Sequence, residues 1–275
     1  DIFVGRGMAR IMSLVMTIFM IVPILAPSIG QVVLYVAPWQ WIFAALTIYG
    51  ALIFAWVWFR VPETLPDGGR PDLSLQESAR AYGEVFSTRV TLGYMAASGV
   101  IFGALFAFIG SAEQIMTEVY DTGDAFVVWF ALVAATLSVA TYTNSRLVER
   151  FGMRRLSQAA LIGFIGFALL LLVLLSVFGE RFYIFFPLFA AMFACFGMIG
   201  SNFNAMAMEP LGKIAGTASA AYGFATTTFS SLLGWIIGSQ YNGSSIPVVA
   251  GFAVLGILCF AVVFVVERGK LFQCR

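Results

Sequence analysis

Chemistry needs groups that titrate, bind metals or attack electrophiles, and this sequence holds them in few places. It contains no histidine, which removes imidazole-based metal sites, catalytic triads and phosphorelays together. Cys195, Cys259 and Cys274 are dispersed and form neither a metal-ligand spacing nor a disulfide framework. Cys195 and Cys259 lie inside apolar runs and read as small buried hydrophobes. No pair of carboxylates stands at a spacing suited to general acid and base work. Neither catalytic residues nor a metal site are expected. Glu113 and Glu209 each end a long apolar run. They are the two candidates for a carboxylate that couples proton movement to another event, with an ordinary interfacial carboxylate as the plainer reading.

Other polar positions sit within the apolar runs. Tyr94, Ser98 and Phe102 fall four apart and share a helical face. Tyr222 and Thr226 repeat that spacing, and Asn202 and Asn204 need hydrogen-bond partners in an apolar setting. These residues would either line a cavity for a small-molecule substrate or tie one helix to the next. Gly99 with Gly103, and Gly234 with Gly238, have the spacing of close helix packing.

The elements that must position these groups follow from composition. The chain has 275 residues, 61% hydrophobic and only 11% charged, against about 25% charged in a soluble domain. The outside of a soluble fold could not be wetted with so few charges. Fifteen basic residues nearly balance fourteen acidic ones, so nothing favours a nucleic-acid partner. The partner is the lipid bilayer.

A crossing helix needs about 20 mostly apolar residues. Charge-free runs of that size cover residues 11–36, 39–59, 90–112, 125–145, 156–179 and 182–208. Residues 214–266 are also free of charge, which is too long for one crossing, and the polar break Tyr241 to Ser245 divides them. Eight transmembrane helices are predicted. Under that count fourteen of the fifteen basic residues fall on one side, and only Arg181 on the other. Positive charge marks the cytoplasmic side, so both chain ends are expected there. Trp39 and Trp41 open the second run, and Trp56 and Trp58 close it, where interfacial rings belong.

The sizeable polar connection runs from Arg60 to Arg89 and carries Pro62, Pro66, Gly68, Gly69 and Pro71. It reads as a linker with a charged, amphipathic stretch from Leu73 to Phe86. The organisation expected is residues 1–60 as two helices of one bundle, 61–89 as cytoplasmic linker and 90–275 as a six-helix bundle. The chain begins with Asp1, and a two-plus-six arrangement is lopsided, whereas six-plus-six is a known transporter plan. The expectation is the last eight helices of a twelve-helix protein, whose four N-terminal helices would be a further partner.

Two motifs carry a resemblance. The first run contains Pro23, Ala26, Pro27, Gly30 and Gln31. Its prolines remove backbone donors and kink the helix, while Ala26 and Gly30 allow another helix close. After the fourth run comes Ser145-Arg146-Leu-Val-Glu149-Arg150-Phe-Gly152-Met-Arg154-Arg155. There Gly152 permits a tight turn, and Glu149 can pair with the arginines near a negative helix end. This loop resembles the second copy of motif A of the major facilitator superfamily, with Ser145 for its Gly and Glu149 for its Asp. The kinked run resembles motif C, the antiporter signature of helix five, with Ala26 and Gln31 as departures. Pro23 to Pro27, Trp39 to Phe43, and Trp58 to Leu65 resemble the Bcr/CflA group of multidrug exporters.

The resemblance implies an all-α membrane protein forming the C-terminal two-thirds of a 6+6 major-facilitator fold, in the bacterial inner membrane with a cytoplasmic C-terminus. It implies proton-coupled export of drugs or other small apolar compounds, powered by the proton gradient without a cofactor. It assigns gating to the loop from Ser145 to Arg155, and places the coupling carboxylate before residue 1. A narrow-substrate metabolite exporter and an inert membrane remnant are the alternatives. An intramembrane enzyme comes last.

Overall fold

The computed structural model describes residues 29–60 and 75–272, together with Ala26. Pro23, Pro27, the linker residues 61–74 and Cys274 lie outside the described residues. Every regular element among the described residues is helical. Residues 29–36 are helical, and α1 follows at Gln40–Arg60, then α2 at Leu75–Ser87 and α3 at Arg89–Gln114. Further along come α4 (Phe126–Phe151), α5 (Met153–Phe178), α6 (Phe182–Met208), α7 (Ala215–Gly238) and α8 (Ile246–Val266).

The chain divides into two compact units, residues 1–73 with 127–134 and residues 74–126 with 135–275. In the first unit, α1 is apolar on all sides and none of its residues is buried. A helix of that kind belongs in lipid or among other membrane helices.

In the second unit, α2 is the amphipathic stretch of the linker. Its Val85 is fully buried against Leu211, Ala218 and Ala221. Long α3 is the hub, packing on α6, α7 and α8, while α5 packs on α6 and α8. Its 26 residues extend about 39 Å at 1.5 Å per residue, enough to cross the hydrocarbon. Phe185, Phe189 and Phe193 recur every four residues along α6, with ring centroids 4.9 and 4.7 Å apart, and Phe108 of α3 leans on the same stack. The α3–α7 crossing depends on small residues. A Cβ at Gly234 would lie 2.5 Å from that of Phe106, and one at Gly103 would lie 2.9 Å from that of Leu233.

Six described helices are long and apolar enough to cross a membrane. They are α1, α3, α4, α5, α6 and α8, and α3 and α6 are prolonged by the turns that follow them. Helix α7 has 24 residues and no charge, but its serines, threonines and glycines dilute its apolarity. The first expected span falls largely outside the described residues. Helix α3 also outruns its charge-free stretch, since a π turn at Ile115–Val119 carries the helical path past Glu113.

Three connections meet at one end of the second unit. Glu180, between α5 and α6, accepts hydrogen bonds from the backbone N–H and the hydroxyl of Ser245, the latter at 2.7 Å, and from Ser244 at 3.1 Å. Ser245 stands at the N-cap position of α8, and its hydroxyl lies 3.0 Å from that of Tyr120. Burial raises the Tyr120 pKa, opposed by its bond to Ser245 and reinforced by the Glu180 carboxylate. The phenol therefore stays protonated at physiological pH and can act as a donor. Tyr241 reaches Glu118 at 2.9 Å at the same end. Single cysteines placed at Thr122 and Asn242 in a cysteine-free background should therefore react with an impermeant thiol reagent from one side of the membrane, and a cysteine at Arg150 from the other. Labelling of all three from one side would contradict the fold.

Candidate functional site

The loop that resembles motif A is a one-residue break between two long helices. Helix α4 runs to Phe151, Gly152 takes φ +78° and ψ 153°, and α5 begins at Met153. That backbone region is essentially closed to residues with a side chain. A Cβ at Gly152 would meet nothing within 4 Å, so the requirement for glycine lies in the backbone alone.

The charges around the turn do not pair with one another. Glu149 is exposed, and the ion pair formed by Arg154 is with Glu267, just beyond α8, at 3.1 Å. The same carboxylate oxygen accepts a bond from Tyr94 of α3 at 2.6 Å. Arg154 and Glu267 are only 20% and 15% exposed, while Tyr94 is fully buried. One carboxylate thus joins the ends of α3, α5 and α8. Arg89 donates to the Val265 carbonyl, one of the acceptors that the end of α8 leaves free. Arg155 donates to the Phe272 carbonyl at 2.8 Å, and Gln158 accepts from the Phe272 N–H at 2.6 Å. Outside this cluster, Arg146 bonds to Tyr142 at 3.0 Å, Arg150 lies over the Phe151 ring, and Ser145 donates to the Tyr142 carbonyl.

The possible cavity residues face the bundle. Ser98 is buried and accepts from Tyr222 of α7 at 2.6 Å. Tyr94 packs on the Phe203 ring at 5.2 Å, and Phe102 packs on Phe196 at 5.0 Å. Asn202 pairs with Asn144 of α4 at 2.7 Å and also donates to the Met198 carbonyl. Thr226 donates to the carbonyl of Tyr222 in its own helix. Of these six, Phe102 and Tyr222 keep a partly exposed surface, and the rest are buried. Asn204, which also needed a partner on sequence grounds, is exposed.

Glu113 lies in the last turn of α3 and Glu209 opens a 3-10 turn, and both are exposed. Neither bonds to the Arg154–Glu267 pair, but the Glu209 carboxylate lies close enough to Arg154 to act on it electrostatically, whereas Glu113 does not. In the helix that resembles motif C, Pro23 and Pro27 lie outside the described residues, and Ala26 is exposed. A Cβ at Gly30 would meet nothing within 4 Å, and Gln31 donates to the Tyr35 hydroxyl at 3.1 Å.

Glu267, Glu180 and Asn144 escaped sequence reasoning. Asn144 is the single asparagine of α4 and could have been matched with Asn202, since each needs a partner in hydrocarbon. The two glutamates have no such signal, because in sequence they are ordinary charges beside a span.

Membrane-length helices, charges at their ends and hydrogen-bonded interior polar groups define a multi-pass membrane protein. A family model described as Major Facilitator Superfamily matches residues 1–239, and the chain belongs to that superfamily, one of transporters rather than enzymes. It is 29% identical over 90% of its length to a protein of Haemophilus influenzae named bicyclomycin resistance protein homolog. It is 28% identical over 94% to the uncharacterized MFS-type transporter YdgK of Bacillus subtilis, and 25% identical over 86% to the multidrug resistance protein MdtL of Shigella dysenteriae. The matches span 62%, 66% and 58% of those three relatives.

Two outcomes follow from this geometry. A double-mutant cycle of Arg154→Gln and Glu267→Gln, read by thermal unfolding in detergent, should give a coupling of about 1–2 kcal/mol, and a cycle with no coupling would remove the pair as a clasp. Gly152→Val should cost about 1–3 kcal/mol through backbone strain and impair transport while membrane insertion persists. Normal transport in that variant would reduce the turn to a connection.

Proposed function

We propose that the protein carrying this chain is a secondary active transporter that exports drugs or other small apolar and amphipathic compounds, driven by the proton gradient. The observation that supports this most is the pair of relatives whose names denote resistance, one to bicyclomycin and one to multiple drugs. They are matched over nearly the whole of this chain. The mechanism on this reading is alternating access, with one helix bundle rocking against another around a site between them. Residues 90–275 serve as one bundle, residues 1–60 contribute helices to the other, and residues 61–89 link them. The substrate meets the second unit on the face that includes Phe102 and Tyr222, which keep exposed surface. Glu113 and Glu209 are the coupling candidates within the chain.

The protein lies in the inner membrane of a bacterium with the Arg154–Glu267 end towards the cytoplasm. Under the eight-helix count fourteen of the fifteen basic residues fall on that side, which supports the orientation. Expression of the whole gene product in bacteria stripped of their own exporters should raise the tolerated concentration of ethidium several-fold. Inverted membrane vesicles should take up ethidium only while a proton gradient is maintained. Uptake indifferent to the gradient would reject the coupling, and no uptake with unchanged tolerance would reject drug export.

A further inference from the structure

At the end of the second unit where α3 and α5 begin and α8 stops, the protein forms a half-open cavity of about 420 Å³. Arg89, Arg154, Arg268 and Lys270 line it, against the single carboxylate of Glu267. We propose that this cavity is a binding site for a phosphate-type anion.

Charge supports it first. The carboxylate is already engaged, since the Oε1 atom of Glu267 takes both Tyr94 and Arg154. Three further cations therefore face one space without a counter-charge among its lining residues. Arg89 is the first residue of α3 and Arg154 the second of α5, so both guanidinium groups stand on helix starts at this end of the unit. The ends of α2 and α4, one residue before them, offset the helix dipoles, and the side-chain charges carry the field.

The backbone is arranged to keep the cations there. After α8 the chain reverses through Arg268 at φ +54° and Gly269 at φ +71°. The Gly269 N–H returns to the Phe264 carbonyl at 2.9 Å, and the Lys270 N–H to that of Glu267 at 3.0 Å. An arginine in the left-handed region carries a cost that the surrounding bonds must hold. One turn along α5 from Arg154, the side-chain amide nitrogen of Gln158 is buried with no acceptor. The cavity exceeds what a bare phosphate needs and lies where apolar helices end, the depth at which lipid headgroups sit. A phospholipid phosphate and a free phosphate share the chemistry that these guanidinium and ammonium groups recognise.

The full protein, purified in a non-ionic detergent, should be examined by native mass spectrometry with phosphatidylglycerol or phosphatidylethanolamine at equal concentration, and by thermal unfolding with inorganic phosphate. Retention of phosphatidylglycerol several-fold above phosphatidylethanolamine is expected, falling to the same level in R268Q/K270Q and persisting in R181Q, which removes a cation from the opposite end. A rise in unfolding temperature with inorganic phosphate that the double variant abolishes, without lipid preference, would assign the site to a free phosphate. Both substituted side chains are exposed, and an unchanged elution profile checks that the variant folds. Should the double variant misfold, the single variants R268Q and K270Q replace it. Absence of both effects in the unaltered protein, or retention and stabilisation undiminished in folded variants, overturns the proposal.

Discussion

Hydrocarbon offers no hydrogen bonds, so every polar group carried into it must find its partner within the protein. The second unit meets that constraint in two ways. Backbone groups are satisfied by long helices. Interior side chains, the amide nitrogen of Gln158 apart, are satisfied either by their own helix or by a neighbour whose position they then fix. The Asn144–Asn202 pair is of the second kind, joining α4 to α6 at 2.7 Å. Ser98 with Tyr222, and Ser230 with the Gly99 carbonyl at 3.0 Å, do the same for α3 and α7. Apolar contact alone gives little preference between one helix register and another, because lipid is as apolar as leucine. The hydrogen bonds supply the register.

The same constraint moves charge to the helix ends, where it becomes a pair of clasps. At one end Glu267 gathers α3, α5 and α8 through Tyr94 and Arg154. At the other, Glu180 gathers the start of α6 and the cap of α8, with Tyr120 following α3 bound to the same serine. Helix α8 is held at both ends, as a strut. A helix held at both ends resists sliding against the neighbours that hold it. The cost of ordering two exposed side chains offsets most of what a surface ion pair gains. The partial burial of Arg154 and Glu267 makes theirs the stronger kind.

Much of this was legible in sequence, for physical reasons that also explain the rest. The run from 182 to 208 coincides with α6 (Phe182–Met208), because a charge before it and a glutamate after it mark both ends. The run from 125 to 145 falls short of α4, which continues to Phe151. Arginine does not stop a helix; Arg146 and Arg150 simply reach outward along it, and the glycine at 152 makes the break. The break at Tyr241 to Ser245 was visible as a cluster of turn residues and separates α7 from α8. What could not be read was pairing across distance. Arg154 is surrounded in sequence by Glu149 and other loop charges, yet its partner lies 113 residues away. Local spacing identifies a charge that needs a partner, but only the packing of α5 against α8 decides which one it meets.

Helix α7 shows why composition and role can diverge. Its small polar residues leave it without the long apolar stretch that the other long helices have, yet those residues impose little penalty in lipid. Thr226 donates to the Tyr222 carbonyl at 2.6 Å, Ser230 to that of Thr226 at 2.5 Å, and Ser231 to that of Thr227 at 2.7 Å. A hydroxyl satisfied by its own backbone does not depend on a neighbour, and such back-bonding slightly loosens the helix. Helix α7 therefore combines a close, glycine-lined contact with α3 and an opposite face of Phe224, Leu232 and Trp235 that is exposed. One side is fixed by short-range fit. The other is mainly apolar, and the Ser231 hydroxyl on it bonds within its own helix and so depends on no neighbour for that bond.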